Sequence, residues 1–181
     1  ADVTTAPVCA FTDTSGAMEN SPSTATGSAS GWTCAITVDN SDADGAVGYS
    51  ITFGDTAGNA GDAVTTGTGS VTIDNTHPSI SSVTADWGAY LNAAEDNSDG
   101  SIVVVTSGAE DGETVTITGM GVTDTCSVSS NTCTATIEAA HLQALSDGTT
   151  YTITVNVDDT AGNAATADTG DTFVYDKTAP T

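Results

Sequence analysis

The chain has 181 residues, and 24 Asp and Glu against a single Lys or Arg give a formal net charge of -23, although only 14% of residues are charged. With Lys177 as its one cation, it has nothing to neutralise a run of phosphates or an anionic lipid surface, which excludes nucleic-acid partners and membrane binding of that kind. No apolar run is long enough to span a bilayer, and 38% hydrophobic residues arranged in alternating runs argue against a disordered chain.

In chain order, the first strands are expected at residues 8–12, 32–38, 47–53 and 70–73, with a weaker one at 63–66. The third is the clearest: Val47, Tyr49, Ile51 and Phe53 alternate with small or polar residues, the pattern of a strand with one buried face. It runs into the turn sequence DTAGN at 55–59. A short strand containing Val71 and Ile73 follows, then Asp, Asn, Thr, His and Pro78, which cannot donate to a ladder and ends the strand.

Beyond Pro78, strands are expected at 80–85, 101–107, 113–119, 126–129, 132–137, 150–158 and 172–175. One helical turn is expected within 138–148, closed by Gly148. Tyr151, Ile153, Val155 and Val157 repeat the alternation of 47–53 and lead into a second DTAGN at 159–163. FVYDKTAP then answers TIDNTHP, and SNTCTATI around Cys133 answers GWTCAITV around Cys34. The chain therefore holds two copies of one design, 1–77 and 78–181. Many short strands with Gly-rich turns predict an all-β fold of two tandem immunoglobulin-like β-sandwiches.

The second copy, from AYLNAAEDNSDG through LQALSDGTTYTITVNVDDTAGN to FVYDKTAPT, resembles the bacterial Ig-like repeats of very large surface adhesins of the RTX and biofilm type. The resemblance covers nearly all of 78–181, and the first copy is similar to a shorter branch of the group. It implies extracellular, tandemly arrayed modules rather than enzymes, with calcium stiffening the linkers between them. The first copy lacks the opening strands of the second. Either a strand donated by another chain completes it, or its own segment 15–31 and a disulfide close it.

Four cysteines, no initiator Met and no signal peptide predict a mature secreted chain with local pairs Cys9–Cys34 and Cys126–Cys133. Neither pair has a His or a second Cys pair at zinc spacing. No N-x-[ST] sequon is present.

Calcium is the expected cation. Asn40, Asp42 and Asp44 alternate before Gly45, and Glu95, Asn97 and Asp99 alternate before Gly100, as in short oxygen-rich loops; ordinary turns use the same residues. By resemblance, the junction ligands would be Asp74 and Asn75, Asn92 and Glu95, and Asp158 or Asp159. The DTAGN aspartates, Asp55 and Asp159, have turn-capping as their competing role. No catalytic set emerges around His77 or His141. Trp87 and Tyr90, in a loop-like stretch, are the one plausible exposed aromatic pair for glycan contact, whereas Tyr49 and Trp32 read as core. The expectation is a structural or adhesive protein whose partners are copies of itself, neighbouring Ig-like modules or surface glycans. The alternative is a carbohydrate- or protein-binding module of a larger adhesin or secreted enzyme.

Overall fold

The computed structural model describes residues 5–28 and 31–180, with only the backbone described at 169 and 170. The chain divides into two compact units, Ala1–Asn75 and Thr76–Thr181.

The first unit contains β1 (Val8–Thr12), β2 (Ser23–Thr24), β3 (Thr26–Ser28), β4 (Gly31–Thr33), β5 (Gly45–Ala46), β6 (Gly48–Thr52) and β7 (Thr72–Ile73). The second contains β8 (Ser79–Ala85), β9 (Tyr90–Asn92), a 3-10 turn (Glu95–Asn97), β10 (Gly100–Ser107), β11 (Thr114–Thr118), β12 (Asp124–Ser127), β13 (Thr132–Ile137), α1 (Ala139–Gln143), β14 (Thr149–Asn156) and β15 (Asp168–Asp176).

The second unit is a two-sheet sandwich. One sheet runs β13-β10-β8 and the other β12-β11-β14-β15-β9, with β9 parallel to β15 and the other neighbours antiparallel. Two packed sheets of this kind make an immunoglobulin-like sandwich, with β8 in one sheet and β9 in the other. Alternation drives it: in β10, Gly100, Ile102, Val104 and Thr106 are buried while the residues between them are half-exposed. The buried residues of both sheets form one core, centred on Ile102, Val104, Ile117, Val155, Phe173 and Tyr175. Tyr151, near the start of β14, accepts a hydrogen bond from the Ser146 amide at 2.8 Å. That is the tyrosine corner of Ig-like sandwiches. The expected helix is shorter than its sequence pattern, ending at Gln143, and Gly148 instead takes φ 72° in the turn before β14.

Part of the first unit matches the second. β1 pairs with β6 as β11 pairs with β14, with Cys9 opposite Ile51 and Ile117 opposite Val155. β2 lies on β1 as β12 lies on β11. Ile51 meets Val64 in an isolated bridge where Val155 meets Asp168. Among the described residues, β8, β9 and β10 have no counterparts. Residues 34–38 therefore lack the strand that Cys133 and its neighbours find in β10, and the expected strand 32–38 stops at Thr33. Trp32, Ile36, Tyr49, Ile51 and Phe53 alternate as core residues should, yet all remain half-buried. The apolar cluster lies wholly in the second unit.

Disulfides link Cys9 to Cys34 and Cys126 to Cys133. The second ties β12, at the edge of one sheet, to β13, at the edge of the other, so it laces one side of the sandwich.

Candidate functional site

The polar side chains with defined partners gather at the ends of the sandwich. At one end of the second unit, Asp159 opens the DTAGN loop. Its Oδ1 accepts the Asn163 amide at 2.8 Å, its Oδ2 accepts the Asn163 side-chain amide at 2.9 Å, and backbone bonds join Asp159 and Asn163 as well as Gly162 and Asp159. Asp55 and Asn59 repeat the same bonds in the first unit, at 2.8 and 2.9 Å. Gly58 and Gly162 supply the φ of 87° and 94° that the loop demands. Both aspartates are turn caps. In Asp159, burial works against the ionised carboxylate, but the Asn163 side chain and the loop amides outweigh it and hold the group below its usual range. Beside the loop, Glu110 and Glu113 receive the amide and hydroxyl of Thr160, each at 3.0 Å. His77 Nδ1 lies 2.8 Å from the Ala164 carbonyl.

At the opposite end, Asn92 and Glu95 bind reciprocally. Asn92 Oδ1 accepts the amides of Ala94 and Glu95, and Glu95 Oε2 accepts the Asn92 amide at 3.0 Å, in the manner of a capping box at the 3-10 turn. Asn97 donates to the Ala93 carbonyl, and Asp99 accepts the Ala139 amide at the start of α1. Asp96, which sequence reasoning passed over, is buried and accepts the hydroxyl of the fully buried Tyr175 at 2.5 Å. That bond and burial push the Tyr175 phenol up to about 12. Asp86, Glu95 and Asp99 line one cavity of about 210 Å³ beside Trp87, and each spends one oxygen on a backbone amide.

The expected ligands are thus distributed rather than gathered. Asn92 pairs with Asp176 at one end of the sheet, whereas Asp158 and Asp159 follow the far end of β14, an eight-residue strand. At about 3.3 Å per residue, the strand holds the two groups roughly 25 Å apart. In the first unit, Asp42 is buried and accepts the Asp39 amide, and Asp44 accepts the Asn75 amide at 2.6 Å. Asn75 in turn donates its side-chain amide to the carbonyls of Asp42 and Asp39. Asn40 is exposed on the same loop, and Asp74 lies just before Asn75, after β7. Asp13, also missed in the sequence, ties this loop to the turn after β1 by accepting the Ala43 amide at 2.6 Å. Among the described residues no three His, Cys, Asp or Glu side chains are grouped to hold a metal ion.

The aromatic pair is corrected outright. Tyr90 is 65% exposed, but Trp87 is 6% exposed and packs edge-on against Phe173 at 5.3 Å. Gly100 makes room for it, since a Cβ there would meet Trp87 Cζ3 at 2.6 Å. The stretch read as a loop is a turn that swings its indole into the core.

These carboxylate bonds have a pH consequence. The Ala43 amide, with Ser15 and Gly16, holds Asp13 down to about 2, and Asp39, Asp55 and Asp147 are lowered by their own hydrogen bonds. A lowered native value stabilises the fold above the unfolded value near 4, and that stability is lost as pH falls through the native value. Asp171, raised by burial and by Asp168, acts in the opposite sense. Urea midpoints measured down the pH scale are expected to hold to about pH 4 and fall between about pH 4 and 2. A flat profile would contradict the assignment.

No family model matches the chain, and no curated protein matches it. One solved structure, a Ca2+-stabilised adhesin that helps an Antarctic bacterium reach out and bind ice, matches 98% of the chain at a TM-score of 0.52 and 25% identity. The chain resembles the Ig-like repeats of a large bacterial adhesin. This adhesin-like chain spans 42% of that structure's length. A 1.5-MDa bacterial ice-binding adhesin matches 98% of the chain and 55% of its own at 22% identity and a TM-score of 0.46. A bacterial Ig-like domain of the M. primoryensis ice-binding adhesin matches 52% of the chain and 95% of its own, at 24% and 0.38.

Proposed function

We propose that this chain is a non-catalytic, extracellular segment of a surface adhesin, whose Ig-like modules carry load along their length and are stiffened by calcium. The observation that carries the reading is the path of the chain through the second unit. It enters where His77 meets Ala164, beside the DTAGN loop, and leaves at the far end, where the tail after β15 meets Asp147. A pull on the two ends loads the sandwich lengthwise, as an extender requires. Likeness across 98% of this chain to part of a Ca2+-stabilised adhesin supports the same role.

For calcium, the residues that fit best are Asp86, Glu95 and Asp99, whose carboxylates share one cavity. They are not drawn to ligand distance, so binding requires them to close on the ion. Segment 34–38, which lies on no strand among the described residues and has Val38 45% exposed, supports completion of the first unit by a strand from another chain in a fibre. The glycan-platform reading loses its support with Trp87 buried. Melting curves with and without chelator test the calcium claim: an ion present at a hundred times its Kd adds about 2.7 kcal/mol, so chelation lowers Tm by several degrees. An unchanged Tm removes calcium. Electron micrographs of the native material test the fibre, and isolated particles count against it.

A further inference from the structure

Each unit ends in the same way. An Asp-Gly pair stands where the strands leading into each DTAGN loop begin, Asp44–Gly45 at the start of β5 in the first unit and Asp147–Gly148 before β14 in the second. After its last strand stands the sequence Asp-x-Thr-x-Pro, at 74–78 and 176–180. In the first unit, Asp44 Oδ1 accepts the amide of Asn75, the second residue of that sequence, at 2.6 Å. In the second, Asp147 Oδ1 accepts the amide of Lys177, again the second residue, at 2.8 Å. The spacing is 31 residues in one unit and 30 in the other. In the second unit, Asp147 Oδ2 also takes the hydroxyl of Thr178 at 2.8 Å, while Asp176 takes the Thr178 amide at 3.0 Å. The strand ladder itself stops just short of these bonds, with the Gly148 amide on the Tyr175 carbonyl at 2.7 Å.

We infer that Asp44 and Asp147 are positioning residues that clamp the chain where it leaves each module, so that the Asp-x-Thr-x-Pro segment departs in a fixed direction. The chemistry suits the task. Each carboxylate holds the backbone amide of an irregular segment, and Asp147 also holds the neighbouring Thr178 hydroxyl, where the ladder that has already ended offers no partner. A carboxylate is a stronger acceptor than a neutral oxygen, and the proline two residues past the clamped pair then limits the backbone further. Two copies of the device, 103 residues apart, indicate that the Asp-Gly pair and the tail form one unit of design, repeated as the DTAGN loop is. The inference rests on the extender reading, because a fixed departure direction matters only where modules bear load in series.

Amide hydrogen exchange on the full chain tests it. Asp147→Ala is expected to raise exchange at Lys177 and Thr178 by roughly ten-fold, the loss set by one hydrogen bond to a charged acceptor, while amides of β10 and β13 keep their protection. Asp44→Ala is expected to do the same at Asn75. Asp147→Asn, which keeps one oxygen acceptor, restores part of the protection at Lys177. Thr178→Val, which removes only a hydroxyl, gives a smaller rise at Lys177 and keeps the test open if Asp147→Ala fails to fold. Unchanged exchange at Lys177 in both Asp147→Ala and Thr178→Val overturns the clamp. Chelator separates the two readings: loss of protection at 75 and 177 on chelation alone assigns the stiffening to calcium and overturns the clamp. A Tm that is indifferent to chelator, with exchange still sensitive to Asp147, removes the calcium part of the extender reading and leaves the clamp standing.

Discussion

Reduction of the disulfides is expected to unfold Ala1–Asn75 while the second unit stays folded. The Cys9–Cys34 bridge closes a loop of 25 residues and Cys126–Cys133 one of 7. On loop-closure entropy, these are worth about 3.5 and about 2.4 kcal/mol respectively. The larger contribution falls on the unit less able to lose it. The first unit has few fully buried apolar side chains, among them Cys9 itself, Met18 and Ile73, and its aromatic residues remain half-buried. Domains are stable by margins of about 5–15 kcal/mol, and a unit without a packed core sits at the low end or below it. Exchange mass spectrometry in reductant should show residues 45–55 losing protection while β10, β13 and β14 keep theirs. Simultaneous loss in both units, or in neither, would contradict this division of stability.

Phe173→Ala is expected to cost the second unit about 3–5 kcal/mol, the range for removing a buried aromatic ring. Phe173 is 1% exposed, and its ring touches Trp87 edge-on at 5.3 Å and stacks on Tyr151 at 5.5 Å. The cavity would loosen both neighbours. Tyr151 would then hold the tyrosine corner at Ser146 less firmly, and Trp87 would lose the wall that keeps it inside. At roughly 4 °C or more per kcal/mol for a domain of this size, Tm should fall by more than about 12 °C, with a red shift of Trp87 emission. A cost under about 1 kcal/mol would mean that the core does not close on this ring.

The strands were legible because their apolar residues alternate. Residues 8–12 and 132–137 were read with their observed bounds, and 80–85, 101–107 and 150–158 to within two residues at each end. Residues 32–38 show where the reading ends. Cys34, Ile36 and Val38 alternate as well as Cys133, Ala135 and Ile137, but a strand exists only when another accepts its hydrogen bonds, and among the described residues the first unit has nothing in the place of β10. β9 was missed for the converse reason: only three residues long, it is defined by its parallel partner in β15.

The site was less legible than the fold. Asp, Asn and Gly in short runs signal a polar loop, and the same composition serves an ion or a backbone cap. The DTAGN repeats marked a turn from sequence alone, because five residues shared twice require one backbone path. Which atoms Asp159 holds could be seen only once Asn163 folded back on it. Asp96 gave no signal, since its partner Tyr175 lies 79 residues away. Trp87 gave a misleading one: its neighbours are polar, and only Gly100 and Phe173, brought in by other strands, place the ring inside.

The sequence by itself determined the tandem design, the all-β class and the shortness of the first copy, because periodicity and repetition are local properties of the chain. The tertiary structure decided where the acid goes. Of the 24 Asp and Glu behind a net charge of -23, several sit at strand ends and accept amides that the ladders leave over, as Asp44, Asp55, Asp147 and Asp159 do. A carboxylate and the N–H that it satisfies are commonly far apart in sequence, as Asp44 and Asn75 are, so only the folded path could pair them.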